Sequence, residues 1–218
     1  MVIAAAVVAA SAGVCSAQPT ETAAQAGEKV GIEGLFVRVA ENSEGFVVLS
    51  YKIANDSVNK EWMLLDVGIT VQQGAQPQKI TRDDVKLVTP DHQVIDLPTQ
   101  EEYNKVRGSL AALEERANMM GDSINYFPPG ANNPCRIGFF ATTTGRQTAL
   151  AYDEVELDST RACVGRLFFH VPGGIQLGNY NLDVKFADSV VKVPVQIMTK
   201  QEAKEFEKKW QEAAKEKK

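Results

Sequence analysis

The chain has 218 residues, 44% of them hydrophobic and 23% charged, enough for one globular domain with appendages and outside the disordered range. A net charge of −5 with no cluster of Lys and Arg excludes a nucleic-acid binder, because phosphates demand a basic surface.

The chain runs apolar and small from Val2 to Val14 and reaches Cys15, Ser16 and Ala17 before Gln18-Pro19. That is the pattern of a secretory leader, and it is short for a bilayer span. No Lys or Arg precedes the apolar run, which departs from the usual leader. The expectation is a cleaved signal peptide over 1–17, an exported product in the periplasm or outside the cell, and no stable transmembrane span afterwards. Lipoprotein anchoring through Cys15 is the rival. Val14 and Ala12 stand where such signals place a small residue and a Leu. Cleavage leaves Cys135 and Cys163, an even pair suited to a disulfide in an oxidising compartment. The bond would close a loop of about 28 residues and stabilise by about 3.5 kcal/mol. The alternative is two buried thiols.

Residues 18–31 lack large apolar side chains apart from Val30 and read as a flexible linker, with regular structure starting near Ile32. Leu35, Val37 and Val39 alternate with Phe36, Arg38 and Ala40, and Val47, Leu49, Tyr51 and Ile53 repeat the period, so both stretches are predicted strands. Met63, Leu65, Val67, Ile69 and Val71 then form one face of a core strand, opposite Leu64, Asp66, Gly68 and Thr70. Two apolar stretches around Pro90-Asp91-His92 suit a hairpin.

At Thr99 the period changes. Thr99 and Glu102 form a capping box, and Tyr103, Val106, Leu110, Leu113, Ala117 and Met120 follow at steps of three and four. The spacing predicts a helix over about 100–120, with Gly121 as its stop and Gly108 weakening it by about 1 kcal/mol relative to Ala. Strands are expected again over 136–141, 148–157 and 164–171. In a simple meander the first and third of these would lie about 9.6 Å apart, too far for a Cys135–Cys163 bridge. The bridge therefore needs the middle segment to cross to the opposite sheet, as Greek-key connections do, or the cysteines to meet in loops.

In GRLFFHVPGGIQLGNYNLDVKF, residues 165–186, Leu167, Phe169 and Val171 alternate with Phe168 and His170. After the Pro-Gly-Gly break, Tyr180, Leu182, Val184 and Phe186 alternate with Asn179, Asn181, Asp183 and Lys185: one oily face, one wet face. Val191, Val193, Val195 and Ile197 continue the pattern, and Pro194 points outward, which marks an edge strand. A second capping box, Thr199 to Glu202, opens a terminal amphipathic helix over 199–218 with Ala203, Phe206, Trp210 and Ala213 on one side. About nine strands without strand–helix alternation predict an all-β fold, an antiparallel β-sandwich over 32–198 with a helical insertion at 99–121. The stretch 165–186, followed by VVKVPVQI, resembles secreted bacterial proteins carrying an uncharacterised immunoglobulin-like domain. The resemblance implies an immunoglobulin-like fold and carries no functional residues.

Few groups are available for chemistry. His170 lies on the outer side of a predicted strand and His92 in a predicted turn, as ordinary residues of those elements. Cys163 and His170 are separated by about 23 Å along an extended segment, too far for a nucleophile pair. Gly121-Asp122-Ser123 superficially matches a lipase nucleophile block, but it ends a helix and no Asp-x-x-His follows. Asp83-Asp84, Glu101-Glu102 and Glu114-Glu115 lack calcium-loop spacing and read as caps or solvated faces. Asn55-Asp56-Ser57 matches the N-glycosylation triplet. No phosphate-cradling glycine loop or metal-spaced cluster appears, so no cofactor is expected.

The sequence thus points to a non-enzymatic exported binding module whose partner is a protein or another cell-envelope component. Phe206 and Trp210 are the candidate contact residues; folding back onto the sandwich competes with partner binding. Two alternatives remain open: an enzyme or metal-dependent factor using loops from Tyr126 to Cys135, and a structural envelope component assembling through the terminal helix.

Overall fold

A computed structural model describes residues 28–141, 143–144 and 147–216. The expected signal peptide 1–17, with Cys15, and residues 18–27 of the expected linker lie outside the described residues. Along the chain run β1 (Lys29–Ile32), β2 (Val37–Glu41), β3 (Gly45–Ser50), α1 (Lys52–Asn55), β4 (Trp62–Val71), β5 (Gln78–Thr81) and a 3-10 turn, Arg82–Asp84. They are followed by β6 (Val85–Val88), β7 (Val94–Asp96), α2 (Gln100–Met120), β8 (Asn133–Ile137), β9 (Thr143–Thr144) and β10 (Gln147–Thr148). The chain then forms β11 (Glu154–Leu157), β12 (Arg161–His170), β13 (Gly178–Lys185), β14 (Val190–Ile197) and α3 (Lys200–Glu216).

The fold is mostly β, with several antiparallel sheets and three helices. A six-stranded sheet has the order β1-β2-β3-β4-β12-β8 and a four-stranded sheet the order β14-β13-β6-β7; β5 pairs with β11 and β9 with β10. Met63, Leu65, Val67, Ile69 and Val71 of β4 join Tyr180, Leu182 and Val184 of β13 and the following Phe186 in one core, each no more than 2% exposed. The alternation in β13 is therefore as the sequence predicts, with Asn179, Asn181, Asp183 and Lys185 on the wetter face. Burying each large apolar side chain contributes about 1.5–3 kcal/mol, so this shared core dominates stability.

β12 departs from simple alternation. Leu167 and Phe169 face the core, but Phe168 on the opposite face is also fully buried. α2 covers it: the Tyr103 ring lies 5.2 Å from Phe168 and 4.8 Å from Phe140. The helix is an outer layer on the six-stranded sheet, and a Leu-Phe-Phe run is what a strand buried on both faces requires. α2 opens at the predicted capping box, in which the Glu102 N–H donates to Thr99 Oγ1 at 3.2 Å and the Thr99 N–H to Glu102 Oε2 at 2.8 Å. Gly121 ends it, as the sequence predicts. Its φ of −59° is not left-handed, and glycine is needed because a Cβ would come 2.6 Å from the Ala117 carbonyl.

Other boundaries also shift. Regular structure starts at Lys29, inside the expected linker, because pairing with β2 uses main-chain groups and needs no large side chains. The strand expected through Ile53 stops at Ser50; Lys52–Asn55 turns into α1, closed by the Asn55 N–H on Tyr51 O at 2.9 Å. The segment 148–157 holds only β10 at its start and β11 at its end, and β11 pairs with β5 in a separate two-stranded sheet, not in the opposite sheet, instead of lying between β8 and β12. That pairing lets β8 lie directly beside β12, in parallel, with Cys135 opposite Cys163. The disulfide forms there, with the two Cα atoms 4.3 Å apart.

β14 is an edge strand, as Pro194 predicts, and its outer side is closed. The Lys192 N–H donates to Glu28 Oε1 at 2.5 Å, Asn42 Nδ2 to Val190 O at 3.5 Å, and Pro194 has no N–H to offer. Such capping removes a template for strand addition.

Candidate functional site

α3 begins on a capping box in which the Thr199 N–H and hydroxyl both donate to Glu202 Oε2 at 2.8 Å. Ala203 and Phe206 face the body: Ala203 is buried, Phe206 half-buried. The seat is Arg38 of β2. Its guanidinium carbon lies 5.3 Å from the Phe206 ring centroid and 5.2 Å from that of Tyr51, so the cation sits between two aromatic faces. Arg38 is 4% exposed, and its Nη1 donates to Gly34 O at 2.9 Å, Val37 O at 3.0 Å and Leu35 O at 3.3 Å. These carbonyls and rings stand where a carboxylate commonly would. Burial pulls the Arg38 guanidinium below its ordinary value, with a smaller opposing effect from Tyr51.

One turn further along α3, Trp210 remains 37% exposed, and among the described residues it has no ring contact or hydrogen bond. The structure therefore separates the two nominated contact residues. Phe206 folds back onto the body, whereas Trp210 extends the apolar stripe past its seat. Arg38 carries no signal in the sequence: one arginine in an alternating strand gives no sign that an aromatic residue far along the chain will cover it.

A second polar cluster lies beneath α2. Tyr103 Oη donates to Glu114 Oε1 at 2.6 Å, both residues being buried. Arg166 Nε donates to Asp66 Oδ1 at 3.1 Å, and its Nη1 to the Glu114 carbonyl at 3.5 Å. Lys52 Nζ pairs with Asp122 Oδ1 at 3.1 Å nearby. Burial raises the Asp66 carboxyl above its ordinary value; the Arg166 charge and hydrogen bond oppose this, and the Asp122 charge adds to it. Burial, then the hydrogen bond to Glu114, drives the Tyr103 phenol far above its usual range. The phenol and Glu114 tie two turns of α2 to each other, the Asp66–Arg166 pair ties β4 to β12, and the Arg166 contact with the Glu114 carbonyl joins helix to sheet. Glu114, expected on a solvated face, is buried because it shares a helical stripe with Tyr103, Leu110 and Ala117.

The remaining candidates are dispersed. Cys135 is bonded to Cys163, so neither is a free nucleophile. His170 stands opposite Trp62 at the far end of β12 from Cys163, with its Nε2 3.7 Å from Glu61. His92 is exposed in the β6–β7 turn, with a left-handed φ of 64°. Of the alternative loop site from Tyr126 to Cys135, Cys135 is taken up by the disulfide, and among the described residues neither histidine has a hydrogen bond, ion pair or ring contact with that loop. Asn55 is buried, and its Oδ1 accepts from the Met198 N–H at 2.7 Å, so its side chain closes the end of β14. Among the described residues no group of three or more His, Cys, Asp or Glu side chains is placed to hold a metal ion. Also among them, no helix is long and apolar enough to cross a membrane.

Compared with known proteins, the chain matches no family model, no curated protein and no solved structure.

Proposed function

We propose that this chain is a non-enzymatic exported module, periplasmic or extracellular, that binds a protein or another cell-envelope component through the outer half of α3. The observation that carries this is Trp210. It is exposed on a helix whose preceding turn is anchored by Phe206 on Arg38, so an aromatic side chain is held out at low conformational cost, a common property of binding hot spots. Export is supported by the leader-like start and, weakly, by the Cys135–Cys163 disulfide.

The scaffold is proposed to be an immunoglobulin-like sandwich. The core common to the two larger sheets supports this, together with the resemblance over residues 165–186. One feature differs from antibody domains: their bridge joins opposite sheets, whereas Cys135–Cys163 joins neighbours within one sheet.

Crosslinking mass spectrometry on cells expressing the exported form tests the proposal. Crosslinks from α3 to an envelope protein, diminished by Trp210→Ala, are expected. An unchanged set of crosslinks in that variant contradicts the role of Trp210.

A further inference from the structure

The outer strand of the six-stranded sheet is complementary to itself. In the β1–β2 ladder Lys29 faces Glu41, Gly31 faces Val39, and the Glu33 N–H donates to Val37 O at 3.2 Å. Antiparallel hydrogen bonding alternates, so the odd residues of β1 address β2. The N–H and C=O groups of Val30 and Ile32 consequently point to the free edge. Their side chains are 48% and 44% exposed. Edges are usually blunted with charge or proline, as β14 is; among the described residues nothing pairs with the outer main-chain groups of β1, whose β-branched apolar Val30 and Ile32 lie between Lys29 and Glu33.

We propose that β1 pairs antiparallel with β1 of a second copy of this chain, about a twofold axis through Gly31, joining two six-stranded sheets into one. In that register Val30 lies against Ile32 of the second copy, and the two exchange both main-chain bonds through the groups that face outward. Lys29 lies against Glu33 of the second copy, and Gly31 against Gly31; both are non-hydrogen-bonded pairs, in which side chains come closest. Every contact off the axis occurs twice, as an isologous interface requires. Shifting the axis by one residue sets Ile32 against Glu28 or against itself and loses the Lys29–Glu33 pairing, so charge and hydropathy select one register. The strand is short and its contact falls below the roughly 1,000 Å² of a stable interface, which makes the dimer weak and concentration-dependent. It does not depend on what α3 binds.

Sedimentation of the purified full chain from micromolar to millimolar concentration tests the pairing, together with three sets of variants. Ile32→Pro removes an outward-facing donor without touching the β1–β2 ladder and is expected to weaken dimerisation about tenfold or more. Glu33→Lys, which sets two cations together across the axis, is expected to weaken it. A Cβ at Gly31 meets only ordinary contacts, 3.6 Å from Glu33 Oε1 and 3.9 Å from Val39 Cβ. Gly31→Cys should therefore give a covalent dimer linked through position 31 on mild oxidation, and Val30→Cys should not, because position 30 faces position 32. A chain that stays monomeric at millimolar concentration, a dimer indifferent to Ile32→Pro, or a Val30→Cys variant that crosslinks as well as Gly31→Cys overturns the proposal.

Discussion

Arg38 and Phe206 stand 168 positions apart in the chain, yet the guanidinium carbon of one lies 5.3 Å from the ring centroid of the other, with Tyr51 on the cation's second side. The contact couples the terminal helix to β2 and fixes where its exposed part begins. Phe206→Ala should remove about 1–2 kcal/mol from the docking of α3, through lost burial and lost cation–π attraction. Amide hydrogen exchange should then accelerate across Ala203 to Gln211 with little change in β13. Trp210→Ala should leave exchange and global stability within about 0.5 kcal/mol of wild type.

The two pairs beneath α2 should respond unequally to single deletions. Tyr103→Phe leaves the buried Glu114 carboxylate without its 2.6 Å donor and should cost about 2 kcal/mol in urea unfolding. Arg166→Met strands a carboxylate whose side chain is only 17% exposed, and about 3 kcal/mol is expected. A double substitution, Asp66→Asn with Arg166→Met, should cost less than Arg166→Met alone, because no uncompensated charge remains.

Acid should act on the helix caps and on Asp66 with opposite sign. Glu102 and Glu202 are held below their ordinary value of 4.5 by the N–H groups and hydroxyls of Thr99 and Thr199. Their stabilisation is present above pH 4.5 and is lost as pH falls through the lower folded value. Asp66 is raised above 3.8 by burial, so its contribution is present below pH 3.8 and is lost as pH rises through the folded value. Far-ultraviolet circular dichroism should show helix signal falling on acidification below pH 4.5 in wild type, and a flatter profile in Glu102→Gln with Glu202→Gln.

Two glycines should give opposite results. Gly108 lies mid-helix with nothing within 4 Å of an added Cβ, so Gly108→Ala should stabilise by about 1 kcal/mol. At Gly68 a Cβ would come 2.5 Å from Phe127 Cζ and 2.7 Å from Val48 Cγ1, and Gly68→Ala should destabilise by about 1–3 kcal/mol. Thermal melts of the two variants measure both.

Elements with a strong local signature were legible in the sequence. The Thr99–Glu102 and Thr199–Glu202 boxes, the alternation in β4 and β13, and the edge position marked by Pro194 all depend on residues a few positions apart. What was not legible depends on the partner across space. Phe168 was expected on a wetter face and is buried because α2 lies over it. Room for the disulfide comes from β11 pairing with β5, a contact between segments more than 70 residues apart. Of the candidate contact pair, Trp210 was recognisable from its helical spacing, but only the position of Arg38 shows that Phe206 is the anchor and not the exposed contact.

Photo-crosslinking is the most direct test of a partner at the outer half of α3. A photoreactive residue at position 210, compared with one at the exposed position 105 on α2, should form adducts with an envelope component in cells expressing the protein, while position 105 forms none. Equal labelling from both positions, or adducts at 210 only with this chain's own body, would contradict the account.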